Sequence, residues 1–165
     1  METPDSGSMP PPRLLADEMV GRLARYLRFL GCDTEYARGW SDDEIVRRAS
    51  AEGRVVVTRD LQLSRRAKNS LLLTSSRLED QLRATWAAFP DIPPEPRFER
   101  CTECNGALSR FEPAAPSAAD GIPWERVAGG LRLYRCGACG HVYWEGSHTD
   151  DVRRRLRAWA AGSPA

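Results

Sequence analysis

The chain has 165 residues, 41% of them hydrophobic, with 24 lysines and arginines against 23 aspartates and glutamates and a net charge of +1. That length allows one domain, or a small domain with a mini-domain, and enough apolar material for a core. The balanced charge excludes a polybasic or polyacidic protein, and no run of about 18 apolar residues is present to span a membrane.

Lys68 is the only lysine, so the positive charge is nearly all guanidinium. The planar guanidinium fork suits phosphate, although a genome of biased base composition would give the same bias. Residues 1–12, METPDSGSMPPP, are polar and proline-rich and are expected to form a disordered leader. They lack the basic start and apolar stretch of a signal peptide.

RLLA, residues 13–16, reads as a first strand, and Asp17 follows it directly. A helix is expected over 18–30, with Gly31 as its stop. Val20, Leu23, Leu27 and Leu30 form its apolar face, with Arg22, Arg25 and Arg28 roughly opposite. TEYA, residues 34–37, reads as a second strand. In SDDE, residues 41–44, Ser41 and Glu44 make a capping box that opens a helix ending near Glu52 and Gly53. Residues 54–58 form a third strand and 61–68 a short helix. LLLT, residues 71–74, is a fourth strand, and Ser76 with Glu79 repeats the capping-box pattern before a helix running to Ala88. Strands alternating with helices imply a mostly parallel sheet flanked by helices, an α/β unit over residues 13–90.

A proline-rich linker follows at about 91–97, and the texture then changes. Residues 98–148 hold short strand-like pieces, glycine turns and two cysteine pairs, with a flexible loop expected over 113–121. A basic helix is expected at 150–161, within a terminal segment 149–165.

The cysteine pairs are Cys101 with Cys104 and Cys136 with Cys139. Each C-x-x-C turn points two sulfurs at one spot, and four thiolates make a closed tetrahedral site for structural Zn²⁺. So small a segment has few apolar residues, and zinc supplies roughly 10 kcal/mol or more of folding free energy to such units. CGACGHVY also resembles a rubredoxin-type knuckle, in which iron occupies the same cage and carries electrons. Paired cysteines without a secretion signal point to a reducing, cytoplasmic setting. Cys32 reads as a small buried side chain rather than a nucleophile.

Ligands of parallel α/β sheets bind beyond the carboxyl ends of the strands. Asp17 follows the first strand and Asp60 the third, so both reach one edge. Asp42 and Asp43 open the helix leading into the third strand, which starts on that edge given a right-handed crossover. Crowded carboxylates repel, and Mg²⁺ or Mn²⁺ relieves the repulsion while activating water against a phosphodiester. Each acid also has a plainer reading as a helix cap or as favourable charge in a first helical turn, as do Glu79 and Asp80.

RLLADEMVGRLARYLRFLGCDT, SDDEIVRRASAEGRVVVTRD, RCTECNGAL and YRCGACGHVYWEGSH together resemble the Mut7-C family over about residues 13–158. The resemblance implies a PIN-like ribonuclease domain followed by a C-terminal zinc ribbon. It implies RNA as substrate, cut at Mg²⁺ or Mn²⁺ held by Asp17, Asp42 and Asp60, with Asp43 a weaker candidate. A fuller PIN set has a fourth acid soon after the T-x-D position, where LQLS here offers none. Arg22, Arg25 and Arg59 are the expected phosphate contacts. Tyr143 or Trp144 could stack a base, or serve the ribbon's own core. His148 is open to a structural role, RNA contact or catalysis, and His141 adds nothing to a filled tetrahedron. The rival expectation is a catalytically weak or inactive PIN-like module that binds RNA as an adaptor. An aspartyl phosphatase of the haloacid-dehalogenase type fails, because Asp17 is followed by Glu18 and Met19 rather than by D-x-D. Nothing in the residues indicates an oligomeric state.

Overall fold

The computed structural model describes residues 11–112, 122–127 and 129–162. The expected leader up to residue 10 and the loop 113–121 lie outside the described residues. The first half comprises β1 (Leu14–Asp17), a 3-10 turn (Glu18–Val20), α1 (Gly21–Phe29), β2 (Thr34–Ala37), α2 (Asp42–Glu52), β3 (Val55–Thr58), α3 (Leu61–Arg66), β4 (Ser70–Leu72) and α4 (Leu78–Ala88). After it come β5 (Leu108–Phe111), α5 (Trp124–Val127), β6 (Leu133–Cys136), β7 (Val142–Trp144) and α6 (Ser147–Ala160).

The fold is mixed α/β. β1 to β4 make a parallel sheet of order β2-β1-β3-β4, and β5, β6 and β7 make a small antiparallel sheet. Side chains alternate across each strand, and the core divides accordingly. Leu14, Ala16 and Val57 point to one side, with Leu23, Leu27 and Leu82 of α1 and α4. Leu15 and Val56 point to the other, with Ile45, Ala49 and Leu63 of α2 and α3.

The terminal helix belongs to the first of these cores. Val152, Leu156 and Trp159 of α6 pack there, Tyr26 meets Trp159 at a ring distance of 6.3 Å, and Arg83 donates to the Trp159 carbonyl at 2.9 Å. The proline-rich connection is held down as well: Ile92 is 1% exposed in the same core. Among the described residues no helix is long and apolar enough to cross a membrane.

Some elements differ from expectation. The helix expected over 18–30 opens as a 3-10 turn, because Asp17 caps that turn by accepting the Met19 amide at 2.9 Å. The Ser76–Glu79 capping box does not form. Ser75 takes the place of Ser76, accepting the Arg77 amide at 3.1 Å and donating to Asp80 at 2.7 Å. β4 lies one residue earlier than expected, and α6 begins at Ser147 rather than near residue 150. Arg28 is not on an outer face but is 6% exposed.

Candidate active site and metal centre

β1 is the pivot of the sheet. α1 leads from it to β2 on one side, and α2 leads from β2 across to β3 on the other. The carboxyl ends of β1 and β3 therefore flank the point where the winding reverses, the place where such sheets open a crevice. Asp17 is the last residue of β1, and Asp60 follows the end of β3 by two positions.

The register explains how the two are joined. Ala16 pairs with Val57, so the next step sets Asp17 opposite Thr58. The Thr58 hydroxyl donates to Asp17 Oδ2, and the Thr58 Oγ1 itself accepts the Asp60 amide at 2.8 Å. Asp17 is 5% exposed. Burial raises its pKa above the ordinary carboxylate value, the bonds from Thr58 and Met19 oppose that, and the charges of Asp60 and Asp42 add to it. Asp60 caps α3 through one oxygen, Oδ1, which accepts from Gln62 at 2.7 Å and Leu63 at 3.2 Å. Its Oδ2 takes no hydrogen bond among the described residues.

Asp42 and Asp43 open α2, as expected, and both face Arg66 of α3. The Arg66–Asp42 bond is 3.2 Å, and Asp43 is 87% exposed. Arg59 leaves a buried Nε without a hydrogen-bond partner beside Asp60. Asp17, Asp42 and Asp60 are not drawn together as tightly as ligands around an ion. Among the described residues only the four cysteines form a His/Cys/Asp/Glu group of three or more whose ligand atoms all lie within 4.8 Å of one another.

The cysteine cluster is built from two matching turns. Cys101 accepts the Asn105 amide at 2.9 Å on its carbonyl, and Cys136 accepts the Gly140 amide at 3.0 Å in the same way. The fourth residue after each leading cysteine takes a left-handed backbone, with φ of 65° at Asn105 and 77° at Gly140. Such a φ favours glycine or asparagine. Gly106 has a steric reason instead: a Cβ there would lie 2.8 Å from Cys136 Sγ.

Sulfur pairs stand at 3.6 Å (Cys101–Cys139) and 3.4 Å (Cys104–Cys136). These distances are far too long for disulfides. They approach the tetrahedron edge of about 3.8 Å that a Zn–S bond of about 2.3 Å requires. The donor set therefore fits a metal. Burial opposes thiolate formation, yet Cys136 is brought down to about 7, first by the amides of Cys139 and Ala138.

The family model of the Mut7-C RNAse domain matches residues 12–156. The chain belongs to the Mut7-C family. No curated protein and no solved structure matches it. The family's description points to nuclease chemistry, and the cysteine cluster can hold a metal such as zinc.

In this Mut7-C chain the two halves are tied at the sheet edge away from Asp17. Arg28 of α1 donates to the Thr34 carbonyl at 2.8 Å and to the carbonyls of Thr102 and Glu103 at 3.0 and 2.9 Å. Burial lowers its pKa, and the nearby sulfurs of Cys101 and Cys104 oppose that. Asn105 bridges to the start of β2, accepting from Thr34 at 3.0 Å and donating to Asp33 at 2.7 Å. Asp33 also binds the 7%-exposed Arg54 at 2.9 Å. Burial alone would raise Asp33, but Arg54, Asn105 and Arg13 hold it at about 2. Sequence reasoning missed Arg28, Asp33 and Arg54. The only signals were an arginine three residues before a helix-stop and an arginine at the start of a buried strand.

Arg22 and Arg25 lie exposed along α1, and Arg25 pairs with Glu103. The Tyr143 hydroxyl is engaged by Cys101 Sγ at 3.1 Å and by the Thr102 amide at 3.2 Å, which gives that ring a place in the ribbon. His141 packs on Tyr143, and Cys32 is fully buried.

Proposed function

We propose that the protein is a metal-dependent ribonuclease, with Asp17, Asp60 and Asp42 as its acidic residues and a structural zinc held by Cys101, Cys104, Cys136 and Cys139. The observation that carries this reading is the placement of Asp17 and Asp60 at the switch point, held to one another through Thr58. Asp17 is buried, bears the charges of the other two acids and has no cationic partner among the described residues, so it is set to receive a cation. Mg²⁺ or Mn²⁺ bound there would supply Lewis acidity and a reactive water at neutral pH.

The chain's own groups would do the remaining work. Thr58 and Met19 fix the orientation of the Asp17 carboxylate, and the α3 cap fixes that of Asp60 with Oδ2 free. Arg59, beside Asp60, and Arg22, at the start of α1, would hold phosphate oxygens of the RNA. Asp42 would pass from Arg66 to the cation, leaving Arg66 with Asp43. In this reading residues 13–90 form the catalytic unit, 91–97 the linker, and 98–148 with the terminal helix a ribbon that holds RNA.

The test is incubation of purified protein with labelled single-stranded RNA in Mn²⁺ or in EDTA. Cleavage in Mn²⁺ alone is expected, and cleavage that survives both EDTA and Asp17→Asn would overturn the reading. One observation favours a second reading, an inactive RNA-binding adaptor: Asp42 is already paired with Arg66 and the three acids are not gathered. RNA binding without cleavage in any divalent metal would select it.

A further inference from the structure

A groove of about 510 Å³ runs between α1 and the second half of the chain. One wall is the outer side of α1, with Arg22, Arg25, Tyr26 and Phe29. β7, with Trp144, and the first turns of α6 make the other, and Arg126 of α5 joins the lining. The size falls within the ~300–1,000 Å³ of sites that hold small organic ligands.

Its chemistry is one-sided. Among the described residues four arginines line it, Arg22, Arg25, Arg126 and Arg155, and no aspartate or glutamate does, although Arg25 is paired with Glu103 outside the lining. Among the described residues Arg22 has no side-chain ion pair or hydrogen bond, and the Arg126 guanidinium donates only to the Glu145 carbonyl, at 3.4 Å. Arg155 keeps a buried Nε without a partner, and its one carboxylate neighbour, Asp151, is 3.8 Å away. Arginines mixed with aromatic faces suit a chain of phosphates carrying flat bases. An acidic peptide would use the cations but leave the rings of Tyr26 and Trp144 unused. The groove also has a direction. α1 starts four residues beyond Asp17, so Arg22 stands near the acidic edge and Phe29 about 10 Å further along the helix.

We infer that this groove seats a single-stranded RNA segment flanking the bond to be cut, with Trp144 and Tyr26 stacking bases and Arg22, Arg126 and Arg155 taking phosphates. The inference rests on the ribonuclease reading for its choice of ligand, and the acidic residues take no part in it. A duplex would not fit, because its bases are stacked inside and unavailable to the rings.

The test is fluorescence anisotropy of a short labelled single-stranded RNA in EDTA, so that cleavage cannot intervene. Arg22→Glu and Arg126→Glu alter exposed side chains, and Trp144→Ala is compared after its fold is checked by circular dichroism. Each is expected to weaken binding about tenfold or more. Arg47→Glu, on α2 across the sheet, makes the same charge change and is expected to leave affinity within about twofold. The inference is overturned if the groove variants bind like the parent, if Arg47→Glu weakens binding equally, or if duplex RNA or polyglutamate competes as well as single strands. Loss of binding in the groove variants without any metal-dependent cleavage would uphold the groove and sink the nuclease. Cleavage with unaltered binding in those variants would do the reverse.

Discussion

Thr58 donates its hydroxyl to Asp17 and, through the same oxygen, accepts the amide of Asp60. One side chain at the end of β3 thus sets both the carboxylate of the neighbouring strand and the start of the turn that carries the second acid. Thr58 is fully buried, and its β-branched side chain is stiff about χ1, so the arrangement is rigid.

Thr58→Val keeps the shape and removes both bonds. The fold is expected to persist at a cost of about 1–3 kcal/mol, while metal-dependent cleavage falls about 10–100-fold, as for loss of a partner that orients a ligand. Thr58→Ser restores the hydroxyl and is expected to recover most of the rate. Cleavage kinetics of both variants check this; a Val variant as active as the parent would remove Thr58 from the account.

Asp17 has a raised pKa, chiefly from burial. The folded protein therefore holds this proton more tightly than the unfolded chain, and the ionised group costs stability at neutral pH. In metal-free protein, stability contributed at this site is expected to grow as pH falls through the raised pKa towards the ordinary 3.8. Asp17→Asn is expected to raise the neutral-pH Tm in EDTA, and Mn²⁺ to raise the Tm of the parent but not of the variant. Thermal scans with and without Mn²⁺ decide it, and a lower Tm for the variant in EDTA would contradict it.

Asp33 shifts the other way, to about 2 from 3.8. Its ionised form is favoured by the fold, so its contribution is complete above the unfolded value and is lost as pH falls from about 4 to about 2. Asp33→Asn is expected to cost roughly 2 kcal/mol at neutral pH, and the parent–variant gap to close across that acid window. Urea unfolding across the pH range measures the gap; one that stays constant down to pH 2 would refute the assignment.

Arg28 holds α1, β2 and the first cysteine turn together through three carbonyls. Arg28→Met leaves them without that donor and is expected to cost roughly 2–4 kcal/mol. Lysine cannot span the same carbonyls with a planar fork, so Arg28→Lys is expected to recover little. Denaturation midpoints check both, and a loss below about 1 kcal/mol for the Met variant would contradict the role.

What could be read in advance followed from local patterns. The LLA run of β1 is short, apolar and followed at once by Asp17, and the VVV run of β3 is followed within three residues by Asp60, so strands and edge were legible together. The cysteine turns were legible because C-x-x-C spacing alone aims two sulfurs. The Thr58–Asp17 bond was not, because it depends on the register of strands far apart in sequence. Arg28 misled because its long side chain lies back over β2 and the cysteine turn, which helical spacing does not reveal. Ser76 misled because its neighbour Ser75 offers the same hydroxyl in the position that reaches Arg77 and Asp80.

In the proposed nuclease, Asp17 and Asp60 would hold a divalent cation at the switch point. Crystals soaked in Mn²⁺ and measured by anomalous scattering test it directly. The account predicts an Mn²⁺ peak near 2 Å from Asp17 and Asp60 Oδ2, with Asp42 turned from Arg66 towards it. Crystals with metal on the four cysteines but no peak between Asp17 and Asp60 at saturating Mn²⁺ would contradict it.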